Sequence, residues 1–111
     1  MLSKAAIIAY EKGYYIFEGE VYNNRGQKRK LKLNDKYPKF NIHYEGKIIT
    51  VKCHHLTAWQ KYGKECIGDD VYVRHYNDNP MDFSIQNILL GTWDQNLEDK
   101  KRNRSQKEKG K

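Results

Sequence analysis

The spacing of apolar residues changes several times along this chain, and each change marks an element. Residues 2–10 carry apolar side chains at helical intervals among helix-favouring alanines, and Gly13 closes the segment. Tyr14, Tyr15, Ile16 and Phe17, then Val21 and Tyr22, are aromatic or β-branched. They predict two short strands around Glu18-Gly19-Glu20. Residues 23–30 form a basic, turn-rich loop with Asn23, Asn24 and Gly26. Phe40, Ile42 and Tyr44 then alternate with Lys39, Asn41 and His43. After Glu45-Gly46, Ile49, Val51 and Cys53 alternate in the same way with Ile48, Thr50 and Lys52, which predicts a hairpin.

The period then lengthens. Residues 55–62 read as a helix with Leu56, Trp59 and Ala58 turned inward, stopped by Gly63. Asp69-Asp70 leads into a strand at residues 71–73. A loop rich in Asn and Asp follows at residues 76–86 and contains Pro80; residues 88–90 form a second strand. Thr92 is a good N-cap, and Gln95 three residues later completes a capping-box pattern, so a last helix is predicted to about Asn103. Trp59 and Trp93 fall on helical positions and are assigned to the core. Residues 105–111 are basic and free of apolar side chains, as expected of a frayed end. No internal repeat or composition break divides the 111 residues, so one domain is expected.

Composition narrows the class. Only 38% of residues are hydrophobic and 32% are charged, which predicts a thin core. Lys and Arg number 21 against 14 Asp and Glu, a formal charge of +7, and a small domain this basic is a candidate for binding DNA or RNA before an anionic membrane. No apolar run approaches the roughly 20 residues that span a bilayer, and the first ten residues lack a secretion-signal pattern. The two cysteines, Cys53 and Cys66, make no disulfide framework and no standard zinc spacing. They read as thiols of a reducing compartment. Nine tyrosines in a chain that is 13% aromatic argue against disorder.

The chemistry-bearing stretch is Val73-Arg74-His75-Tyr76-Asn77-Asp78-Asn79-Pro80, then Gln86-Asn87-Ile88-Leu89-Leu90-Gly91-Thr92, then Asn96. It orders a strand ending in an imidazole, a polar loop, a strand and a capped helix that carries an amide. An imidazole and an amide oxygen that converge can activate water and hold part of a hard divalent ion's shell. Basic runs at residues 25–32 and 100–111 flank this stretch. A charge run is usually a solvated face, but Arg25, Lys28, Arg29, Lys30, Lys100, Lys101, Arg102 and Arg104 also suit phosphate contacts. Arg25 and Arg29 are candidate base readers.

On these residues the chain resembles HNH endonucleases of the small phage and homing type, which have the ββα-metal fold. The signature positions fall on His75, Asn87 and Asn96, the loop Asn77-Asp78-Asn79-Pro80-Met81-Asp82 matches with a variant first half, and His54-His55-Leu56-Thr57-Ala58 is similar to the helix start upstream of such sites. The resemblance covers about residues 14–99. It implies an α+β fold: an antiparallel β-rich part at 14–53, a helix at 54–63, a ββα-metal core at 71–103 and a basic tail at 104–111. It further implies that His75 is the general base, that Asn87 holds the loop and orients His75, and that Asn96 binds one Mg²⁺ or Mn²⁺. The implied partner is double-stranded DNA, nicked to a 5′-phosphate and a 3′-hydroxyl by a monomer or weak dimer. The implied setting is a bacterial cytoplasm reached through a phage or mobile element.

One position departs from the pattern. Arg74 stands where many homing members carry an aspartate ligand, and a guanidinium cannot bind a cation; it can clamp the scissile phosphate instead. The second metal ligand then falls to His54, His55, Asp78 or Asp82, with the two imidazoles preferred, although capping or packing suits them equally. Two rival readings follow: a DNA-binding protein on an HNH scaffold that has lost metal chemistry, and an RNA-binding protein or ribonuclease of similar charge.

Overall fold

The computed structural model describes residues 2–68 and 70–92. Its elements are α1 (Lys4–Glu11), β1 (Tyr15–Phe17), β2 (Glu20–Tyr22), β3 (Lys39–Tyr44), β4 (Lys47–Lys52), α2 (Cys53–Tyr62), a 3-10 turn (Gly63–Cys66), β5 (Tyr72–His75) and β6 (Ile88–Gly91). The strands form antiparallel pairs, β1 with β2, β3 with β4 and β5 with β6, and each pair is a separate two-stranded sheet. Two-stranded hairpins are marginal alone, so their stability must come from what they pack on.

That support is α2. Residues Cys53 through Ala58 are all buried. Cys53 and Leu56 face a core of Ile16, Val21, Phe40, Ile42 and Val51 with Ala6 and Ala9 of α1. Ala58 faces a smaller cluster with Cys66 and Ile88, flanked by Trp59, Val73 and Leu90. Polar side chains of the same helix complete the backbone of the hairpins. The Ile16 N–H donates to Gln60 Oε1 (2.7 Å), and Gln60 Nε2 donates back to the Ile16 carbonyl (2.9 Å), so one amide acts as an extra strand for β1. Lys61 Nζ donates to the carbonyls of Ile85 and Ile88 at the entry to β6 (2.7 and 3.0 Å).

Turn chemistry explains the first two hairpins. Glu18 and Gly19, and again Glu45 and Gly46, all have positive φ, the conformation a two-residue hairpin turn requires. Gly13 is needed twice over. Its φ is +99°, and an added Cβ would sit 2.5 Å from Asn24 Cβ.

Boundaries differ from the sequence pattern in identifiable places. Cys53 opens α2 rather than ending β4: its N–H still donates in register to the Pro38 carbonyl opposite (3.0 Å), but Pro38 has no N–H to return the second bond and the ladder stops there. Strand β5 continues past Val73 through Arg74 to His75, since both pair across to β6, with Leu89 and Ile88. The 3-10 turn after Gly63 is not visible in the pattern; within it the Cys66 thiol donates to the Ala58 carbonyl (3.2 Å). The predicted helix beyond Thr92, with Trp93 and Asn96, lies outside the described residues. No described helix is long and apolar enough to cross a membrane.

Candidate functional site

Strands β5 and β6 carry the site, and the loop between them is held by its own side chains. Asn87, buried just before β6, accepts the Asn77 N–H at Oδ1 (3.0 Å). Its Nδ2 donates to Asn77 Oδ1 and to the Asp82 carbonyl (2.9 Å each). Every polar atom of that side chain is used, and three points of the loop are tied to one residue. The Asn77 amide nitrogen also donates to Asp82 Oδ2 (3.0 Å), while Asp82 Oδ1 accepts from the Ser84 hydroxyl (2.7 Å). Burial alone would raise the Asp82 carboxyl, but the Ser84 hydroxyl and N–H and the Asn77 amide hold it below the usual range. From α2, the Thr57 hydroxyl reaches the Phe83 carbonyl (2.6 Å) and fixes the loop to the core.

This frame presents His75 at the end of β5. His75 and Val73 line a cleft of about 190 Å³ with Lys36, Tyr37, His54, Asp78 and Pro80. The ring of His54 lies 5.1 Å from that of His75 and 4.5 Å from that of Tyr37, stacked at 25° on the latter; Tyr37 also stacks near His75 at 5.8 Å. Both His75 Nε2 and His54 Nδ1 are buried, and neither has a hydrogen-bond partner among the described residues. Burial lowers the His75 imidazole and Lys36 adds to that, against the opposing pull of Asp82 and Asp78. His54 is pushed down to about 2, first by burial and then by His55 and His75. Both rings are therefore neutral near pH 7, and a neutral imidazole can accept a proton or bind a metal.

The other candidates are distributed as follows. His55 stands beside His54, but its Nδ1 accepts the Ser3 N–H (2.8 Å) and so joins the start of α1 to α2. Burial first and Lys52 second lower it to about 4. Arg74 falls between Val73 and His75, and strand alternation puts it on the opposite face from those two cleft residues. Asp78 lines the cleft in a left-handed conformation (φ 56°). Arg25, Lys28 and Lys30 are exposed, and Lys28 pairs with Glu20 at 3.5 Å. Arg29 is half-buried. Its guanidinium donates to the Asn41 carbonyl (3.1 Å) and lies 6.0 Å over the Tyr14 ring, so it braces β3. Asn96, Lys100, Lys101, Arg102 and Arg104 lie outside the described residues.

Lys36 and Tyr37 were not singled out by the sequence. Both lie in an irregular segment with no periodicity and no motif, and only the fold brings them to His54 and His75. The signal that could have pointed to them is the Tyr37-Pro38 step, which stiffens that segment just before a strand.

A metal fits this cleft in part. Among the described residues no three His, Cys, Asp or Glu side chains are grouped to hold an ion. The two unpartnered imidazole nitrogens are nonetheless of the donor type that binds divalent metals. Asn96, the amide that the resemblance offers as a ligand, lies outside the described residues.

No family model and no curated protein matches the chain. Among solved structures it is similar to the HNH homing endonuclease I-HmuI, in a structure described as DNA binding and cleavage by that enzyme. The TM-score is 0.63 and the identity 25%, over 80% of this chain and 52% of that one. The chain thus spans about half the length of the protein it matches.

Proposed function

From the HNH-type fold of the chain, we propose that it is a metal-dependent DNA endonuclease that nicks one strand of a duplex. The observation that carries the reading is His75: a neutral imidazole at a strand end that lines a cleft, with no hydrogen-bond partner for its Nε2 among the described residues. The His75 imidazole takes a proton from the attacking water. Asn87 keeps the loop, and with it His75, in place through its three hydrogen bonds. Lys36 is the cation among the residues that line the cleft, and it meets the phosphate at the mouth. Asn96 and His54 would hold the ion, Mg²⁺ or Mn²⁺, which when bound supplies charge stabilisation at the phosphate and leaving oxygen. The exposed Arg25, Lys28 and Lys30 add sequence-independent phosphate contacts. The products are a 5′-phosphate and a 3′-hydroxyl.

Supercoiled plasmid incubated with Mg²⁺, Mn²⁺ or EDTA tests this. Wild type should yield nicked circles only with metal, and His75→Ala should be slower by about 10²–10⁴-fold while binding DNA as before. Equal nicking by the variant would remove His75 from the mechanism. One feature favours a second reading, a DNA-binding scaffold without cleavage: Arg74 stands where the resemblance to HNH endonucleases implies an aspartate ligand. Tight, salt-sensitive DNA binding with no nicking in either metal would support it.

A further inference from the structure

The segment between β2 and β3 returns to the cleft at Tyr37, and several constraints hold it there. Pro38 follows, which confines Tyr37 to extended backbone. Pro38 is itself buried, and its carbonyl accepts the Cys53 N–H at the start of α2, one residue before His54 (3.0 Å). On the other side of Pro38, Lys39 exchanges backbone hydrogen bonds with Lys32 (2.7 and 3.2 Å) and its side chain pairs with Asp35. The Tyr37 ring is thereby delivered to the same place as His54 and His75 from a third part of the chain.

Among the described residues His75 lacks the usual means of orientation. A catalytic imidazole is commonly aimed by a hydrogen bond to its second nitrogen. Here no hydrogen bond to the His75 ring is found among the described residues, and its Nε2 is buried unpartnered. The outer torsion of a histidine is broad, so the rotamer alone does not set the ring plane. Packing sets it. Tyr37 lies 26° from the plane of His75 with ring centres 5.8 Å apart, and His54 lies 41° from it at 5.1 Å. Tyr37 and His54 in turn stack on each other at 4.5 Å, so the three rings lock one another.

We propose that Tyr37 is a positioning residue: through its stack on His54 it holds the His75 ring in the plane from which the water proton is taken. The inference rests on the nuclease reading of His75. It assigns the work to the aromatic face, since the Tyr37 hydroxyl makes no hydrogen bond among the described residues.

The test compares Tyr37→Phe and Tyr37→Leu in the full chain, by metal-dependent nicking of supercoiled plasmid and by NMR of the histidine rings in ¹⁵N-labelled protein. Thermal melts confirm that both variants fold. Tyr37→Phe should keep kcat within about twofold of wild type, and Tyr37→Leu should lose about 10–100-fold in kcat with KM little changed, the signature of misplaced chemistry. The His75 ring signals should move in Tyr37→Leu and stay near wild type in Tyr37→Phe. Unchanged kcat in Tyr37→Leu, or equal losses in both variants, overturns the proposal. If wild type does not nick DNA, the nuclease reading fails by itself, and the ring signals still decide the clamp: unchanged His75 signals in Tyr37→Leu overturn it.

Discussion

The β3–β4 and β5–β6 hairpins are both antiparallel, yet they are closed in different ways. β3 and β4 pair from Lys39 with Lys52 to Tyr44 with Lys47 and turn within Glu45 and Gly46, both at positive φ. Nothing outside the turn is needed to set that register. β5 and β6 pair over a shorter length, from Tyr72 with Gly91 to His75 with Ile88, and are joined by residues 76–87. A long loop costs more closure entropy than a tight turn. It is offset here by the Asn87 bonds inside the loop and by Thr57 and Lys61 reaching out from α2. The tight turn sets its ribbon's register locally, and the ribbon takes its stability from the core it packs on. The long loop depends on distant partners, and those partners bring His75 to Tyr37 and His54.

The strongest test of this contrast is a pair of asparagine substitutions. Asn87→Ala removes three half-buried hydrogen bonds and should destabilise the protein by about 2–4 kcal/mol, with a large loss of nicking. Asn41→Ala removes only an exposed cross-strand contact, the Thr50 hydroxyl to Asn41 Oδ1 (2.9 Å), and should cost less than about 1 kcal/mol. Similar urea midpoints for the two variants would erase the distinction.

Acid should weaken the β5–β6 side next. His54, in the cleft beside His75, resists protonation in the folded state down to about 2, whereas an unfolded imidazole takes a proton near 6.5. Its contribution is therefore complete above about pH 6.5 and is lost as pH falls through that value towards the folded one. Between pH 6.5 and 5.5 this imidazole should remove up to about 1 kcal/mol. Amide exchange, corrected for its intrinsic pH dependence, should then rise at β5 and β6 before β3 and β4. A uniform rise would mean that the two hairpins share one unfolding unit.

The most local effect belongs to the tight turn. Gly46 has φ +74°, and a Cβ there meets nothing within 4 Å, so Gly46→Ala carries backbone strain alone. It should cost about 1 kcal/mol and leave plasmid nicking at the wild-type rate. A change in nicking would tie that turn to the substrate.

Residue order alone was enough for the local features. The turns at Glu18-Gly19 and Glu45-Gly46, the stop at Gly63, the alternation of β3 and β4 and the strand-loop-strand order around His75 and Asn87 were all legible. Each depends on the backbone preferences of adjacent residues or on a period of two. Tertiary structure decided which side chains meet. The pairing of Gln60 with Ile16, of His55 with Ser3 and of Arg29 with Asn41 joins residues that no local pattern relates. So does the three-ring contact of Tyr37, His54 and His75. Two adjacent histidines thereby diverge, one bonded to the start of α1 and one set in the cleft. The reason is that hydrogen bonds and ring contacts are short-ranged in space, and only packing around α2 brings residues distant in sequence within their reach.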